Sequence, residues 1–411
     1  MIIILAMDDS LHRALEPRLR AHLGVMPVVV VTGARQTGKT TLARRLAPGR
    51  RRFHTLDDLD VLDAAKNDPE QLLGGHDAVT LDEIQRAPSL LAAIKRNVDD
   101  TRTAGRFLLT GSANLASMAR VSESLAGRAS YLTLWPMTRR EQRGLGRTGC
   151  WDELLSADDR DWPDVLIGQP GYRDDWREVA RRGGFPDPAV HLANEEERAI
   201  WFDGYIQTYL ERDLATLSSV ASLVDFRRLV RAACLRVGQV VNQTEIGRDA
   251  AVPQPTVHRY LNLLETSYLL VRLPAYAVNR TKRLIKSPKL YWCDTGLALR
   301  IAGTDTTPAH LENVVLCDLL AWRDARTERV EITYWRTTTG DEVDFVVEAR
   351  DTLLPVEIKA TVNPRLRDTV RLRAFRKEYP EQARAGLLLH TGETVEWLAP
   401  DVLAAPWWRV L

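Results

Sequence analysis

Residues 27–41 read Pro27-Val-Val-Val-Val-Thr-Gly-Ala-Arg-Gln-Thr-Gly-Lys-Thr-Thr41. The four valines form an apolar, β-branched run, which predicts a strand buried on both faces of a sheet. Two glycines, Gly33 and Gly38, then flank a short polar segment, and Lys39 and Thr40 open a stretch that favours a helix. This order of strand, glycine-containing loop and helix is the P-loop pattern, in which backbone N–H groups surround a phosphate chain.

The residue types of this loop predict ATP and Mg²⁺ as ligands. The Lys39 ammonium can reach the β- and γ-phosphates, and the Thr40 hydroxyl can bind Mg²⁺. A chance match in a glycine-containing turn is the alternative, but all three elements stand in the required order. The predicted nucleotide contacts are Gly33, Ala34, Arg35, Gln36, Thr37, Gly38, Lys39, Thr40 and Thr41.

An apolar run at residues 78–81 leads into Asp82 and Glu83, the Walker B arrangement. We expect Asp82 to join Thr40 in the Mg²⁺ site and Glu83 to orient or deprotonate the attacking water. The next predicted strand, residues 106–110, ends in a polar cluster. There Ser112 and Asn114 are candidates for sensing the γ-phosphate, although a plain turn is an open alternative.

Arg128 is a candidate arginine finger that would stabilise charge in phosphoryl transfer, from the same copy or from a neighbouring one. A surface arginine is the equal alternative. The expected catalytic residues of the nucleotide site are therefore Lys39, Glu83 and Arg128.

The composition indicates a globular protein of two or three domains, with 411 residues, 45% hydrophobic and 27% charged. The net charge of +1 means that any nucleic-acid surface has to be a local patch. Four scattered cysteines give no zinc pattern and fit reduced thiols. The apolar start of the chain is too short for a signal peptide, so we expect a cytoplasmic protein with no membrane partner.

The middle of the chain carries a helix-turn-helix pattern. Residues 242–251 and 254–265 favour two helices around Val252-Pro253, and residues 268–273 and 288–292 favour the two strands of a wing. We predict that this unit binds duplex DNA. A purely interdomain or protein-binding role is the alternative. The predicted DNA contacts are Gln254, Thr256, His258 and Arg259, with Lys282 and Arg283 in a basic run between the strands.

The last hundred residues carry several acidic residues and a lysine that the predicted elements bring together. Glu357 and Lys359 stand two apart on a predicted strand, so both project from one face. Asp344 lies on the preceding strand and Glu312 on an earlier helix. In this order and spacing these residues resemble the PD-(D/E)xK nuclease superfamily. The resemblance implies a divalent metal held by Glu312, Asp344 and Glu357, with Asp344, Glu357 and Lys359 as catalytic residues. Asp344 and Glu357 are expected to be ionised at neutral pH. An inactive relic is the open alternative.

A second resemblance covers nearly the whole chain. The chain is similar to the prokaryotic AAA-type ATPases that carry a C-terminal domain of unknown function. This similarity implies a P-loop α/β domain with Mg-ATP as its ligand. The stretches that carry it are residues 33–40, Leu81-Asp-Glu83, Leu109-Thr-Gly-Ser112, Leu125-Ala-Gly-Arg128 and Arg182-Gly-Gly-Phe-Pro186.

We therefore expect an α/β protein with three domains. A P-loop AAA-type ATPase domain with a helical lid and connector spans 1–199, a winged-helix-like domain spans 200–300, and an α/β nuclease-like domain spans 301–411. The expected function is ATP hydrolysis coupled to a DNA-binding, nuclease-like half. A nucleotide-gated switch with an inactive half that binds DNA or protein is the alternative, as is a protein-remodelling ATPase. Homo-oligomerisation is left open.

Overall fold

The computed structural model of the chain describes residues 11–46, 51–75, 77–111, 125–213, 220, 222–278 and 287–411. Its first sheet has five parallel strands in the order β2-β3-β4-β1-β5. The strands are β1 (Val28–Thr32), β2 (Arg51–Thr55), β3 (Ala78–Asp82), β4 (Phe107–Thr110) and β5 (Ala129–Thr133). Because all five strands are parallel, the loop after β1 and the pair Asp82-Glu83 at the end of β3 both lie at the carboxyl-terminal edge of the sheet. The strand β4 lies between β1 and β3 in the sheet.

The valine run is fully buried as β1, which confirms the strand prediction. Pro17 lies in the first turn of the helix Glu16–Leu23, where a backbone N–H would make no hydrogen bond within the helix. The proline is therefore compatible with the start of the helix and does not break it. Two apolar clusters cover the two faces of the sheet. The helices described in this part are Glu16–Leu23, Lys39–Arg45, Leu59–Asn67, Pro69–Leu73 and Leu90–Asp100, with a 3₁₀ turn at Ile84–Arg86.

A series of short helices connects this sheet to the rest of the chain. Three of their tryptophans, Trp151, Trp162 and Trp176, are buried in one apolar core that continues through the middle and the C-terminal parts. The connector therefore packs largely on those two later parts of the chain. Its elements are Arg139–Gln142, Trp151–Ser156, Asp159–Asp161, Trp162–Ile167, Trp176–Arg182, Asp187–His191, Glu195–Tyr205 and Ile206–Asp213.

The middle part contains three successive helices, Leu223–Cys234, Gln243–Ala250 and Gln254–Thr266, and then an antiparallel hairpin. The hairpin strands are β6 (Leu270–Leu273) and β7 (Lys289–Trp292), with Leu270 opposite Trp292. Both predicted helices and both predicted strands are thus confirmed. Their order is the one expected of a winged helix, and that assignment remains a prediction. A further helix, Thr295–Ala302, follows β7.

The C-terminal part is built on a six-stranded mixed sheet in the order β12-β13-β11-β10-β9-β8. Helix Pro308–Ala325 precedes the sheet, and helix Val370–Glu378 joins the parallel neighbours β10 and β11. The strands are β8 (Val330–Arg336), β9 (Glu342–Ala349), β10 (Thr352–Lys359), β11 (Gly386–His390), β12 (Glu396–Ala399) and β13 (Val402–Pro406). A 3₁₀ turn at Leu366–Thr369 and helix Trp407–Val410 complete the described elements.

The basic segment after β10 differs from its predicted packing. The sequence of residues 364–377 predicts a helix whose Leu366, Val370 and Leu372 pack inward and leave a cationic face, with a solvated surface helix as the equal alternative. Only Leu372 is buried, whereas Leu366 is 60% and Val370 58% exposed. The first turn of the segment is 3₁₀ rather than α-helical, which rotates its side chains away from the face that the α-helical period predicts.

The middle and C-terminal parts are joined by backbone pairing as well as by the shared core. Ala275 forms an isolated parallel bridge with Tyr334, and the Tyr276 N–H donates to the Tyr334 carbonyl at 2.5 Å. Packing is therefore continuous across residues 300 and 301, and the domain boundaries stay predictions.

Candidate functional site

The loop between β1 and helix Lys39–Arg45 has a backbone that only particular residues can adopt. Gly33 has φ of 140°, and a Cβ there would lie 2.3 Å from the Leu134 carbonyl oxygen. Gly38, directly before the helix, has φ of 91°, and Gln36 is left-handed with φ of 62°. The two glycines of the pattern are thus required by the loop's shape, as the sequence predicts.

Lys39 lies inside the curl of this loop. Its ammonium donates to the Ala34 carbonyl at 2.6 Å and to the Gly33 carbonyl at 3.2 Å. Burial lowers the pKa of Lys39 to about 8, against the opposing charges of Glu83 and Asp82. An ammonium held this close to the loop carbonyls is in place to meet a phosphate chain bound by the loop N–H groups.

Asp82 accepts hydrogen bonds from three threonines that come from three different strands or helices. Thr40 donates to both of its oxygens, at 2.9 and 3.1 Å, Thr55 donates at 3.3 Å, and Thr110 makes a further bond. The Thr40 hydroxyl and the Asp82 carboxylate are the kinds of oxygen ligand that Mg²⁺ takes in sites completed by substrate phosphates. The donor set present therefore fits the predicted ion.

Glu83 has left-handed backbone geometry, with φ of 58°, directly after β3. Its N–H donates to the Thr110 hydroxyl at 3.4 Å, and its carboxylate accepts a bond from the Gln85 amide. A non-glycine residue with positive φ is uncommon and costs free energy, which is typical of a side chain that function requires to point one way.

Arg13, which no pattern in the sequence singles out, supports the loop from outside. Its buried guanidinium donates to the Thr37 carbonyl at 2.7 Å and to the Trp135 carbonyl at 2.6 Å, and it pairs with Glu141 at 3.1 Å. These partners lie up to 128 residues away. No local pattern could have indicated them.

The Gly183-Gly184-Phe185-Pro186 segment also lies against the loop. The Asp294 carboxylate accepts N–H groups from Gly184 at 2.6 Å, from Phe185 at 3.2 Å and from Leu297 at 2.7 Å. A Cβ on Gly183 would lie 2.5 Å from that carboxylate. A Cβ on Gly38 would lie 3.7 Å from Pro186. The motif is thus a fixed turn beside the P-loop, a position that its spacing in the sequence could not show.

Aromatic residues connect the loop to the middle part. The Tyr205 hydroxyl donates to the Arg35 carbonyl at 3.4 Å, and the Arg35 guanidinium lies 5.7 Å from the centre of the Tyr209 ring. The Tyr268 hydroxyl shares a hydrogen bond with the Thr32 hydroxyl at 2.9 Å. The Tyr268 ring packs edge-on against Trp135, with the ring centres 6.1 Å apart.

The remaining predicted nucleotide residues are placed differently. Thr41 is exposed at the start of the helix. Ser112 and Asn114 lie outside the described residues. Arg128 pairs with Asp99 at 2.6 Å, directly before β5 and opposite the start of β1, which is the sheet edge away from the P-loop. A role of Arg128 as a finger therefore remains a prediction for a neighbouring copy.

Four of the predicted DNA contacts lie on the second helix of the pair, on the side away from the core. Gln254, His258 and Arg259 are exposed and Thr256 is half-buried, while Val257 and Leu261 face the core. His258 lies within hydrogen-bonding distance of Asn262, at 3.0 Å. Lys282 and Arg283 lie outside the described residues. DNA binding stays a prediction.

The predicted nuclease-like residues meet at the carboxyl end of β10. The Ile358 N–H donates to Asp344 at 2.9 Å, and the Lys359 ammonium lies 2.5 Å from Glu357. The Tyr291 hydroxyl donates to Glu312 at 3.0 Å. Among the described residues, no group of three or more His, Cys, Asp or Glu side chains is arranged to hold a metal ion. The predicted residues thus converge, but as hydrogen bonds and ion pairs, and metal binding stays a prediction.

Burial changes the ionisation of this cluster. It raises the pKa of Glu312 to about 8 and that of Glu357 to about 8, with the Asp344 charge adding to both shifts. The prediction that Glu357 is fully ionised at neutral pH is therefore opposed by its environment. Lys289, a residue that the sequence did not single out, lies among these carboxylates. Burial lowers the pKa of Lys289, but the negative charges of Asp344, Glu312 and Glu342 together raise it by more, so the net shift of the pKa is upward.

Comparisons with known proteins agree with the first half of this description. A domain model described as an AAA domain matches residues 26–142. The uncharacterised protein Rv2008c of Mycobacterium tuberculosis is 34% identical over 363 residues, which are 86% of this chain and 75% of that protein. The chain belongs to this family of AAA-type ATPases. Two further domain models match residues 173–307 and 308–410 of this chain, and both are described as domains of unknown function (DUF8612 and DUF4143).

More distant similarities add little. An uncharacterised protein of Haemophilus influenzae is 24% identical over 281 residues, which are 66% of this chain and 64% of that protein. The Walker-type ATPase of Pyrococcus abyssi has a TM-score of 0.37 at 14% identity, covering 73% of this chain and 96% of that one. A DNA replication initiation factor has a TM-score of 0.26 at 14% identity, with coverages of 71% and 92%. These TM-scores are low, so the similarity supports no conclusion about function.

Within the described part of the chain, no helix has both the length and the apolar composition needed to cross a membrane.

Proposed function

We propose that this AAA-type protein hydrolyses Mg-ATP and uses the nucleotide state to control the binding of duplex DNA by its middle part. The observation that carries the proposal is the hydrogen bond between the Thr32 and Tyr268 hydroxyls, at 2.9 Å. Thr32 is the last residue of β1, directly before the P-loop, and Tyr268 lies two residues after the helix Gln254–Thr266. A single contact thus joins the strand that leads into the predicted phosphate-binding loop to the residues directly after the helix proposed to read DNA.

A second connection supports the same coupling. Arg13 binds the carbonyls of both Thr37, in the loop, and Trp135, whose ring packs on Tyr268. Tyr268 itself has left-handed backbone geometry, with φ of 57°, which its surroundings have to hold in place. A shift of the loop on nucleotide binding would therefore be transmitted to both the hydroxyl and the ring of Tyr268.

In the proposed hydrolysis, the loop N–H groups and Lys39 would bind the phosphates, and Thr40 and Asp82 would hold the magnesium ion. Magnesium, when bound, neutralises charge that develops on the phosphate oxygens. Glu83 orients the attacking water through its carboxylate, which the backbone geometry and Gln85 position.

The coupling is tested by measuring DNA affinity in two nucleotide states. Wild-type protein should bind duplex DNA with different Kd values in ADP and in a non-hydrolysable ATP analogue, since coupling between sites is typically about 5–150-fold. Tyr268→Phe keeps the ring on Trp135 and removes only the hydroxyl bond, which contributes about 1 kcal/mol, so the ratio should fall about fivefold. ATP turnover without DNA should stay the same.

Tyr172→Phe is the matched control, because it removes the hydroxyl of an exposed tyrosine of the connector. Equal DNA affinity of the wild-type protein in both nucleotide states would refute the switch. An absence of salt-sensitive DNA binding in every state would favour the protein-remodelling alternative.

A metal-dependent nuclease is the competing hypothesis. Asp344, Glu357 and Lys359 converge at the end of β10, but the Lys289 ammonium, 3.5 Å from Asp344, opposes the metal that a nuclease would need. Cleavage of DNA with Mg²⁺ or Mn²⁺ that disappears in Asp344→Ala, with ATP turnover unchanged, would establish it. Homo-oligomerisation and a cytoplasmic location remain predictions.

A further inference from the structure

Lys289 is the first residue of β7, in the hairpin of the middle part, and its side chain is 2% exposed. A buried ammonium is costly unless it is paired. Its Nζ lies 2.5 Å from Glu342, 3.5 Å from Asp344 and 4.0 Å from Glu312. All three carboxylates belong to the C-terminal part, two on β9 and one on helix Pro308–Ala325. Lys289 therefore crosses from one part of the chain into the acidic cluster of the other.

The rest of the cluster is compensated by side chains of the C-terminal part. Glu357 pairs with Lys359 at 2.5 Å and with Arg371 at 3.5 Å. The second oxygen of Asp344 accepts the Ile358 N–H. Glu342 also lies 3.7 Å from Arg336. Among the described residues, four carboxylates thus face four cationic side chains, and of the carboxylate oxygens only the second oxygen of Glu357 is buried without a hydrogen-bond partner.

This arrangement does not fit the divalent metal that the nuclease resemblance implies. Mg²⁺ needs oxygen ligands at about 2.0–2.1 Å in near-octahedral geometry. A metal shared by Glu312 and Asp344 would have to take the region in which the Lys289 ammonium now contacts both carboxylates. The +1 and +2 charges would repel each other at short range in a buried setting, where water screens them little.

We propose that the Lys289 ammonium takes the cation position of this cluster, so that the C-terminal part binds no divalent metal at Glu312, Asp344 and Glu357. The cluster instead fastens the hairpin of the middle part to the C-terminal sheet through ion pairs. The carboxylates of a nuclease-like site thereby serve an interdomain contact.

The test uses the full-length, nucleotide-free protein and Mn²⁺ alone as the probe, with bound ion counted by electron paramagnetic resonance. Wild-type protein and Asp344→Asn should bind the same amount of Mn²⁺, since the cluster contributes none. Lys289→Met removes the ammonium at similar length and should gain about one Mn²⁺ per chain. Lys289→Arg keeps the charge and should gain none.

Adding Asp344→Asn to Lys289→Met should abolish the gained ion, which separates the cluster from the Thr40–Asp82 site near the P-loop. Two results would overturn the proposal: wild-type protein retaining a Mn²⁺ that Asp344→Asn removes, or a folded Lys289→Met protein, judged by circular dichroism, gaining none. If Lys289→Met does not fold, the Mn²⁺ bound by wild type and by Asp344→Asn still tests the proposal, because this comparison needs no variant at Lys289. Neither readout depends on ATP turnover or DNA binding.

Discussion

Asp318 offers a quantitative prediction about how the C-terminal half docks on the connector. It lies on helix Pro308–Ala325, fully buried, and one carboxylate oxygen accepts the Trp151 indole N–H at 2.7 Å and the Gly149 N–H at 2.9 Å. The other oxygen is buried without a hydrogen-bond partner. Burial raises the pKa of Asp318 to about 6, although both hydrogen bonds oppose the shift.

The sign of the effect follows from proton linkage. The folded protein holds this proton more tightly than the unfolded chain, whose aspartate pKa is about 3.9, so the wild type loses stability as the pH rises from about 4 to about 6. A shift of about two pKa units corresponds to about 3 kcal/mol. Asp318→Asn keeps the acceptor oxygen and has no proton to lose, so this loss should not occur in the variant.

The assay is thermal unfolding of wild type and Asp318→Asn from about pH 4 to about pH 7. The free energy of unfolding of the variant, relative to wild type, should rise by about 2 kcal/mol across this range, because the aspartate of the unfolded chain is already about half ionised at about pH 4. This change corresponds to a few degrees in Tm. Any constant offset from the new buried amide leaves this change unaffected. Asp63→Asn, on the exposed side of helix Leu59–Asn67, is the matched control and should follow the wild-type profile. A relative stability of Asp318→Asn that stays constant with pH would show that Asp318 does not titrate as its burial requires.

The nucleotide and DNA sites give further predictions. Lys39→Ala should abolish binding of a fluorescent ATP analogue, whereas Glu83→Gln should keep binding and block hydrolysis; equal turnover in Glu83→Gln and wild type would contradict the assignment of Glu83. Arg128→Ala should lower turnover without lowering nucleotide affinity if neighbouring copies assemble, whereas unchanged turnover would leave Arg128 a surface partner of Asp99. Arg259→Ala should weaken duplex binding and reduce the log–log salt slope by about 0.9, the value of one phosphate contact; a slope that does not change would place the DNA elsewhere.

The nucleotide site can be predicted in detail because its parts are local. The P-loop needs a buried strand, two glycines at a fixed distance, a lysine and a hydroxyl, and all stand within fifteen consecutive residues. An apolar strand that ends in two carboxylates is common in general, and Asp82 and Glu83 are recognisable because theirs follows a P-loop, with Asp82 standing 42 residues after Thr40. The helix-turn-helix and hairpin elements are recognisable from apolar periodicity and the break at Val252-Pro253.

The acidic cluster is predictable only in part. Alternation on β10 correctly places Glu357 and Lys359 on one face, and strand order brings Asp344 beside them. The cation among these carboxylates, Lys289, cannot be predicted in this way. Lys289 lies 55 residues before Asp344 and stands in a hairpin strand where a lysine is unremarkable.

Residue types a few positions apart are enough to identify the segment that binds the nucleotide and the strands and helices around it, since backbone conformation follows from local sequence. The supports of that segment emerge only in the folded chain: Arg13 on the Thr37 carbonyl, Asp294 on the glycine turn, and Tyr268 on Thr32, 236 residues away. These contacts depend on which distant segments of the chain the fold brings together. An arginine, an aspartate or a tyrosine carries no local mark of the distant partner that it will meet.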